Sequence, residues 1–241
     1  MATKLTWLGA SAFRLTTAAG ARIYFDPWLE NGDCPAGERS PVGVDMIILS
    51  HGHFDHVGQT LAMWEKFQPK VVAPQDVRRW LEKRGLDRDD RLGPDMGGTI
   101  FVGEAAISLT DARHSGGSPE GDYAGAPCGF VLRLPDTPSL YFAGDTCAFG
   151  DMQLIGRVHR PDIAILPIGG HYTMDPAGAA LALELLGVRR CIPCHYRYGA
   201  DPAPPRAVLP GKPHHLRGLV PDEIEIIAPA PGETIILEAA A

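Results

Sequence analysis

The strongest constraint on the fold is a series of thirteen short apolar or β-branched runs: KLTWLG, AFRLTT, RIYFD, MIILS, KVVAP, TIFVG, AISLTDA, GFVLRL, SLYFAG, IAILPI, RCIPC, EIEIIAP and ETIILE. Each is bounded by Gly, Pro or polar residues, and segments of this kind read as strands, some alternating and some buried on both faces. Between them HVGQTLAMWEKF, DVRRWLEKRG, the stretch near DMQLIGRV and DPAGAALALELLG carry helical spacing. In the last of these, Asp175 suits the cap, Pro176 the first turn and Gly187 the stop. Strands this numerous with helices inserted among them predict an α/β (α+β) architecture of two packed sheets with helices outside. No linker divides the 241 residues, so residues 1–241 are expected to form one domain. The most irregular region is GADPAPPRAVLPGKPHHLRG, residues 199–218. Its prolines are expected to exclude regular structure, and its length is that of a lid or an unstructured segment.

Charge narrows the partners. With 22 Lys and Arg against 29 Asp and Glu, the formal net charge is -7 and no long block of one sign occurs, which argues against nucleic acid as the main partner. The start, MATKLTWLGASAFRLTT, has no apolar stretch long enough for a signal-peptide core before Arg14, and no segment is suited to span a membrane. Five scattered cysteines, Cys34, Cys128, Cys147, Cys191 and Cys194, are an odd number and form no dense framework, so a cytoplasmic location is expected. Cys191 and Cys194 make a C-x-x-C, but an offset of three in a strand puts them on opposite faces, as packing residues rather than a clamp.

The stretch LSHGHFDHVG concentrates chemistry. An extended exit from MIIL would point His51, His53 and Asp55 the same way, with His56 opening the next helix. Imidazole and carboxylate are donors preferred by zinc, manganese and iron. Three further runs lead directly to candidates: AISLTDAR to His114, SLYFAG to Asp145 and RCIPC to His195. Strand ends that converge on one sheet edge would bring seven donors together. Seven donors suit two metals with a shared bridge.

The H-x-H-x-D-H run, the later His, the Gly-Asp-Thr aspartate and the final His after a strand resemble the metallo-β-lactamase superfamily of metal-dependent hydrolases. SAFRL, IYFDPWL, AGDT, PIGGHYTMDP, IPCHY and PGE are similar to a compact group related to ascorbate-6-phosphate lactonases and N-acylphosphatidylethanolamine phospholipase D. The resemblance covers nearly the whole chain and implies a four-layer αββα sandwich. It also implies that His51, His53 and His114 hold one divalent metal, that Asp55, His56 and His195 hold the other, and that Asp145 bridges. Zinc is the default ion, and manganese suits the same donors. Asp26, ending RIYFD, matches an aspartate that supports a ligand histidine and would fix its tautomer. The chain departs from the group at Ala10, where Gly-His-Ser-Ala-Phe is common.

The activity implied is hydrolysis of an ester, lactone or phosphoester of a small molecule, an anionic one among the options, with Asp55 and His171 as candidates for moving the proton. His171 follows Gly169-Gly170 and precedes a helix start, a place where a substrate contact and mere loop packing are both open. His159 reads as a surface residue, and so do His214 and His215. The competing readings are an iron-dependent oxidoreductase or sulfur dioxygenase and a nuclease on the same fold. Di-iron relatives typically carry Glu where this chain has His53, and the acidic balance weighs against a nuclease. A homo-oligomer is left open.

Overall fold

All thirteen apolar runs form strands in the computed structural model, which describes residues 2–198 and 209–238. One sheet contains β1 (Lys4–Trp7), β2 (Phe13–Thr16), β3 (Arg22–Phe25), β4 (Met46–Ile48), β5 (Lys70–Val72) and β13 (Thr234–Ile236), in the order β13-β1-β2-β3-β4-β5. The other contains β6 (Thr99–Val102), β7 (Ala105–Asp111), β8 (Cys128–Arg133), β9 (Leu140–Phe142), β10 (Ile163–Pro167), β11 (Arg190–Cys194) and β12 (Glu225–Ile226), in the order β12-β11-β10-β9-β8-β7-β6. Both sheets are mixed. The β3-β4-β5 and β9-β10-β11-β12 neighbours run parallel, and the remaining pairs are antiparallel.

Period-two alternation explains why two sheets stack with helices outside. Ile23, Phe25, Met46, Ile48 and Val72 face the second sheet, whereas Tyr24, Ile47, Leu49, Val71 and Ala73 face outward into a separate apolar cluster. That outer cluster receives Val57 of α1 (Phe54–Val57), Met63 of α2 (Thr60–Phe67) and Val77 and Leu81 of α3 (Gln75–Glu82). Beyond the second sheet lie α4 (Met152–His159), α5 (Pro176–Leu186) and the short α6 (Pro213–Arg217), which contribute Ile155, Leu183 and Leu216 to the main core. The expected αββα layering is therefore present. Between the sheets Phe25 meets Phe130 at 5.2 Å and Phe142 at 5.8 Å between ring centroids. Burying each ring contributes about 1.5–3 kcal/mol, with roughly 0.5–1.5 kcal/mol more for a well-oriented aromatic pair.

Helix α5 follows its local signals: Asp175 caps it by accepting from Gly178 N at 2.8 Å, and Gly187 stops it at φ 67°. Two expectations change. The helical stretch after His56 is divided at Gly58, whose φ is 40° and whose added Cβ would lie 2.3 Å from the Pro27 carbonyl oxygen and 2.5 Å from Trp28 Cα. The break lets the chain press against the turn that follows β3. In the Pro-rich region, residues 199–208 lie outside the described residues, while Pro213–Arg217 forms a helix after all, with Pro213 at the first turn, where its missing N–H costs nothing.

Gly58→Ala is expected to destabilise the protein by about 2 kcal/mol or more, through left-handed backbone strain and collision with the Pro27–Trp28 turn. Denaturant unfolding of the two proteins measures this. Equal midpoints at equal slope would show that the close approach does not constrain the fold.

Candidate metal centre

The candidate residues follow the C-terminal ends of their strands. Asp26 follows β3, His51 and His53 follow β4, His114 follows β7, Asp145 follows β9 and His195 follows β11. Gly144 turns the chain after β9 at φ 60°, and an added Cβ there would lie 2.8 Å from Ser50 Cβ. Thr146 then ties two strand exits together: its hydroxyl accepts from Arg113 N at 2.9 Å, which brings His114 beside Asp145. On the far side, His195 N donates to the Ala10 carbonyl at 3.0 Å, and Trp7 Nε1 donates to the same oxygen at 3.0 Å. Position 10 thus serves the site through its backbone.

All seven predicted donors come together. His51 Nε2 lies 2.9 Å from His53 Nδ1, and His114 Nε2 lies 3.3 Å from the same atom. Asp55 Oδ2 is 3.6 Å from His195 Nε2 and 3.9 Å from His56 Nε2. Asp145 spans both groups: Oδ1 is 3.3 Å from His56 Nε2, and Oδ2 is 3.2 Å from His195 Nε2 and 3.7 Å from His114 Nε2. The route differs from expectation at one point. The extended exit ends at His53, and Asp55 belongs to the first turn of α1, so it sides with His56 and His195 rather than with His51 and His53.

Asp26 is fully buried at φ 40° and accepts three hydrogen bonds: from Ser50 N at 2.8 Å, from Ser50 Oγ at 2.6 Å and from His56 Nδ1 at 2.6 Å. The Ser50 hydroxyl also meets His51 Nδ1 at 2.9 Å. Both Nδ1 atoms are therefore held as N–H donors, and both Nε2 atoms keep a lone pair for the site. Asp26, His51 and His56 also form a close triad of metal-binding residue types, but these hydrogen bonds already account for it. Ser50 was not among the sequence candidates. Its signal was a hydroxyl directly before the first ligand-type histidine.

The donor set fits divalent cations. His56 Nε2 and Asp145 Oδ1 are buried, lack a hydrogen-bond partner and face the cluster. Nitrogens bound to one ion at about 2.0–2.1 Å each would sit about 3 Å or more apart, as the first three histidines do. Electrostatics divides the groups. Burial lowers the pKa of His51, and the neighbouring His56 adds to this; burial also lowers those of His53 and His114. Burial opposes the charged form at His56 too, yet Asp145 and Asp26 raise its pKa well above the usual value. At His195 the same opposition by burial is overcome by Asp145 and Asp55, and the pKa rises to about 9.

His171 is exposed, its ring edge-on to Tyr172 at 4.5 Å, and it joins neither donor group. His159 is half-buried on α4, and His214 and His215 are exposed on α6. Cys191 and Cys194 are buried and free, and burial pushes both thiols up, so they stay protonated at neutral pH.

The family described as the Beta-lactamase superfamily domain matches residues 21–196, a span that contains Asp26 and all seven donors. Over 235 residues the chain is 43% identical to a UPF0173 metal-dependent hydrolase of Koribacter versatilis (strain Ellin345), covering 96% of this chain and 97% of that one. It belongs to this hydrolase family of the metallo-β-lactamase superfamily. A UPF0173 metal-dependent hydrolase of Myxococcus xanthus (strain DK1622) is 41% identical over 98% of this chain and 84% of its own length. A metallo hydrolase from the archaeon Ignicoccus hospitalis has a similar structure, with a TM-score of 0.83, 29% identity and coverage of 100% of both chains. No helix among the described residues is long and apolar enough to cross a membrane.

The divided electrostatics predicts proton release on metal binding. At pH 7 the His56 and His195 side chains hold protons that a cation bound beside them would have to displace, whereas burial keeps His51, His53 and His114 neutral. Calorimetric titration of zinc into metal-free protein, in buffers of different ionisation enthalpy, should register a release of at least one proton per chain. Affinity at that group should rise with pH through about 9, the His195 value. Metal binding without proton release at pH 7 would contradict this charge distribution.

Proposed function

We propose that the seven donors bind two divalent cations and that the protein hydrolyses an ester, lactone or phosphoester of a small molecule. In this reading His51, His53 and His114 hold one cation, and Asp55, His56 and His195 hold the other. The observation that carries it is Asp145, whose two oxygens reach donors of both groups within 3.2 to 3.7 Å. Zinc is the default for this donor set, and manganese fits it as well. When bound, such a pair lowers the pKa of water toward neutrality and polarises the scissile oxygen.

The chain's own residues prepare that chemistry. Asp26 and Ser50 fix the tautomers of His56 and His51, so the lone pairs point inward without rearrangement. Asp55 lines the adjoining pocket and lies beside His195, where it can take the proton that water loses and pass it to the departing oxygen. In the overall reaction a water oxygen bonds to the acyl carbon or phosphorus, the C–O or P–O ester bond breaks, and the leaving oxygen gains the proton. His171 is assigned to substrate: it is exposed on the loop whose next residue, Tyr172, lines the pocket. None of the five cysteines takes part. Five free thiols accord with a cytoplasmic setting.

Asp145→Ala tests the shared bridge. Metal content under saturating conditions should drop from two per chain to one or fewer, and turnover should fall at least about a hundredfold. An unchanged content of one tightly bound metal in both proteins would end the binuclear reading. Oxygen uptake without hydrolysis would move the enzyme to the oxidoreductase alternative.

His171→Ala separates substrate contact from ligation. Both metals and the fold should remain, and turnover should fall by on the order of a hundredfold if His171 supports the developing oxyanion. Wild-type turnover in this variant would return His171 to loop packing. The comparison is His159→Ala, which should alter neither metal content nor rate.

A further inference from the structure

A pocket of about 390 Å³ adjoins the centre and includes Asp55 and His195 in its lining. Its remaining walls are unlike a phosphate cradle. Trp28, Phe54 and Tyr172, with the buried Tyr196, supply four aromatic side chains, and Trp28 and Phe54 meet edge-on at 5.5 Å and 80°. Phe54 and Tyr172 are 61% and 59% exposed, an unfavourable state for rings that a bound apolar group would relieve. Ala10 adds only a methyl, which leaves the space beside His195 open.

The polar inventory is small and largely committed. The Asn31 amide donates to the Leu8 and Trp28 carbonyls at 3.0 and 2.6 Å and accepts from Asp33 N at 3.0 Å. Asp33 accepts from Tyr198 N at 3.1 Å. Its charge is balanced in the lining by that of Arg197. A multiply charged substrate would find one cation and one opposing carboxylate away from the metal donors. A neutral, flat group would find four aromatic side chains.

We infer that this pocket selects a small neutral molecule bearing an aromatic ring, seated against Trp28, Phe54 and Tyr172 with its ester or lactone group at Asp55 and His195. The inference rests on the hydrolase reading for the bond cleaved, and on the pocket alone for the ring. The volume suits a drug-sized molecule or smaller, since ligand sites commonly span about 300–1,000 Å³. Burial of one ring against such walls favours binding by roughly tenfold or more.

Two measurements on the metal-loaded protein test it. In the first, 3-phenylpropanol, which has no bond to hydrolyse, is titrated while tryptophan fluorescence is followed. A saturable change is expected that disappears in Trp28→Phe, together with binding at least about fivefold weaker in Phe54→Ala and partly restored in Phe54→Leu. Propanol should not compete, and a ring sulfonate in the para position should weaken binding. Equal binding of propanol, insensitivity to Phe54→Ala, or tighter binding of the sulfonate would each overturn the inference. In the second, ethyl 3-phenylpropanoate and ethyl propanoate, whose reacting centres are alike, are compared by kcat/KM. The phenyl ester should lead by roughly tenfold or more, and Phe54→Ala should collapse the ratio. Hydrolysis of both esters at equal rates would overturn the ring preference while leaving the hydrolase reading standing. Ring binding that depends on Phe54, with no hydrolysis of either ester, would uphold the pocket and count against the ester assignment.

Discussion

The centre depends on one buried carboxylate. Asp26 has no exposure to solvent and accepts three hydrogen bonds, two from Ser50 and one from His56. A buried carboxylate is tolerated in such surroundings because its oxygens are filled by donors. Through His56 directly and His51 by way of Ser50, it orients a nitrogen in each of the two donor groups. The reach follows from sheet register. Phe25 pairs with Ile48 across parallel β3 and β4, so the residues just beyond them, Asp26 and Ser50, meet at the same edge. A shift of register by one residue would separate them and turn the core side chains of β4 outward.

The same logic extends across both sheets. Apolar alternation fixes which faces pack, and the strands then deliver their polar exits to one edge. At that edge the backbone accepts unusual conformations: Ala10, Asp26 and His195 all have φ between 40° and 50°, a region that non-glycine residues avoid. Each is held there by named contacts. The Ala10 carbonyl accepts from Trp7 and His195, and Asp26 is locked by Ser50 and His56. Local strain is tolerated where surrounding structure over-determines the backbone, as it does here.

Much of this was legible in the sequence because it rests on local signals. Each apolar run became a strand, the Asp175, Pro176 and Gly187 signals bounded α5, and His51, His53, Asp55 and His56 announced the donor cluster by crowding alone. Other features rest on long-range contact and were not. The division at Gly58 is imposed by the Pro27–Trp28 turn, which sequence spacing cannot place beside it. Ser50 gains its role only when β3 lies next to β4. Trp28, Phe54 and Tyr172 come from three separate segments, and nothing in their own neighbourhoods marks them as walls of one pocket. Residues 213–217 were misread because prolines were counted as breakers, although the first turn of a helix accommodates one.

A site built for cations must also survive without them. Asp26, Asp55 and Asp145 place three carboxylates within one small, mostly buried volume, and burying unpaired charge is costly. In the metal-free chain protons fill the deficit. Burial disfavours the charged form of His56 and His195, but the nearby carboxylates prevail and both imidazoles are driven toward it. In turn, although burial would raise the Asp145 pKa, those two histidines hold it well below the ordinary value. His51, His53 and His114 receive no such net stabilisation and remain neutral, so one donor group is ready for a cation while the other carries protons that stand in for one. The fold can therefore close around the carboxylates before any metal arrives. In the proposed two-cation reading, loading the second group is an exchange of protons for a cation at geometry that Asp26, Ser50 and Ala10 have already set.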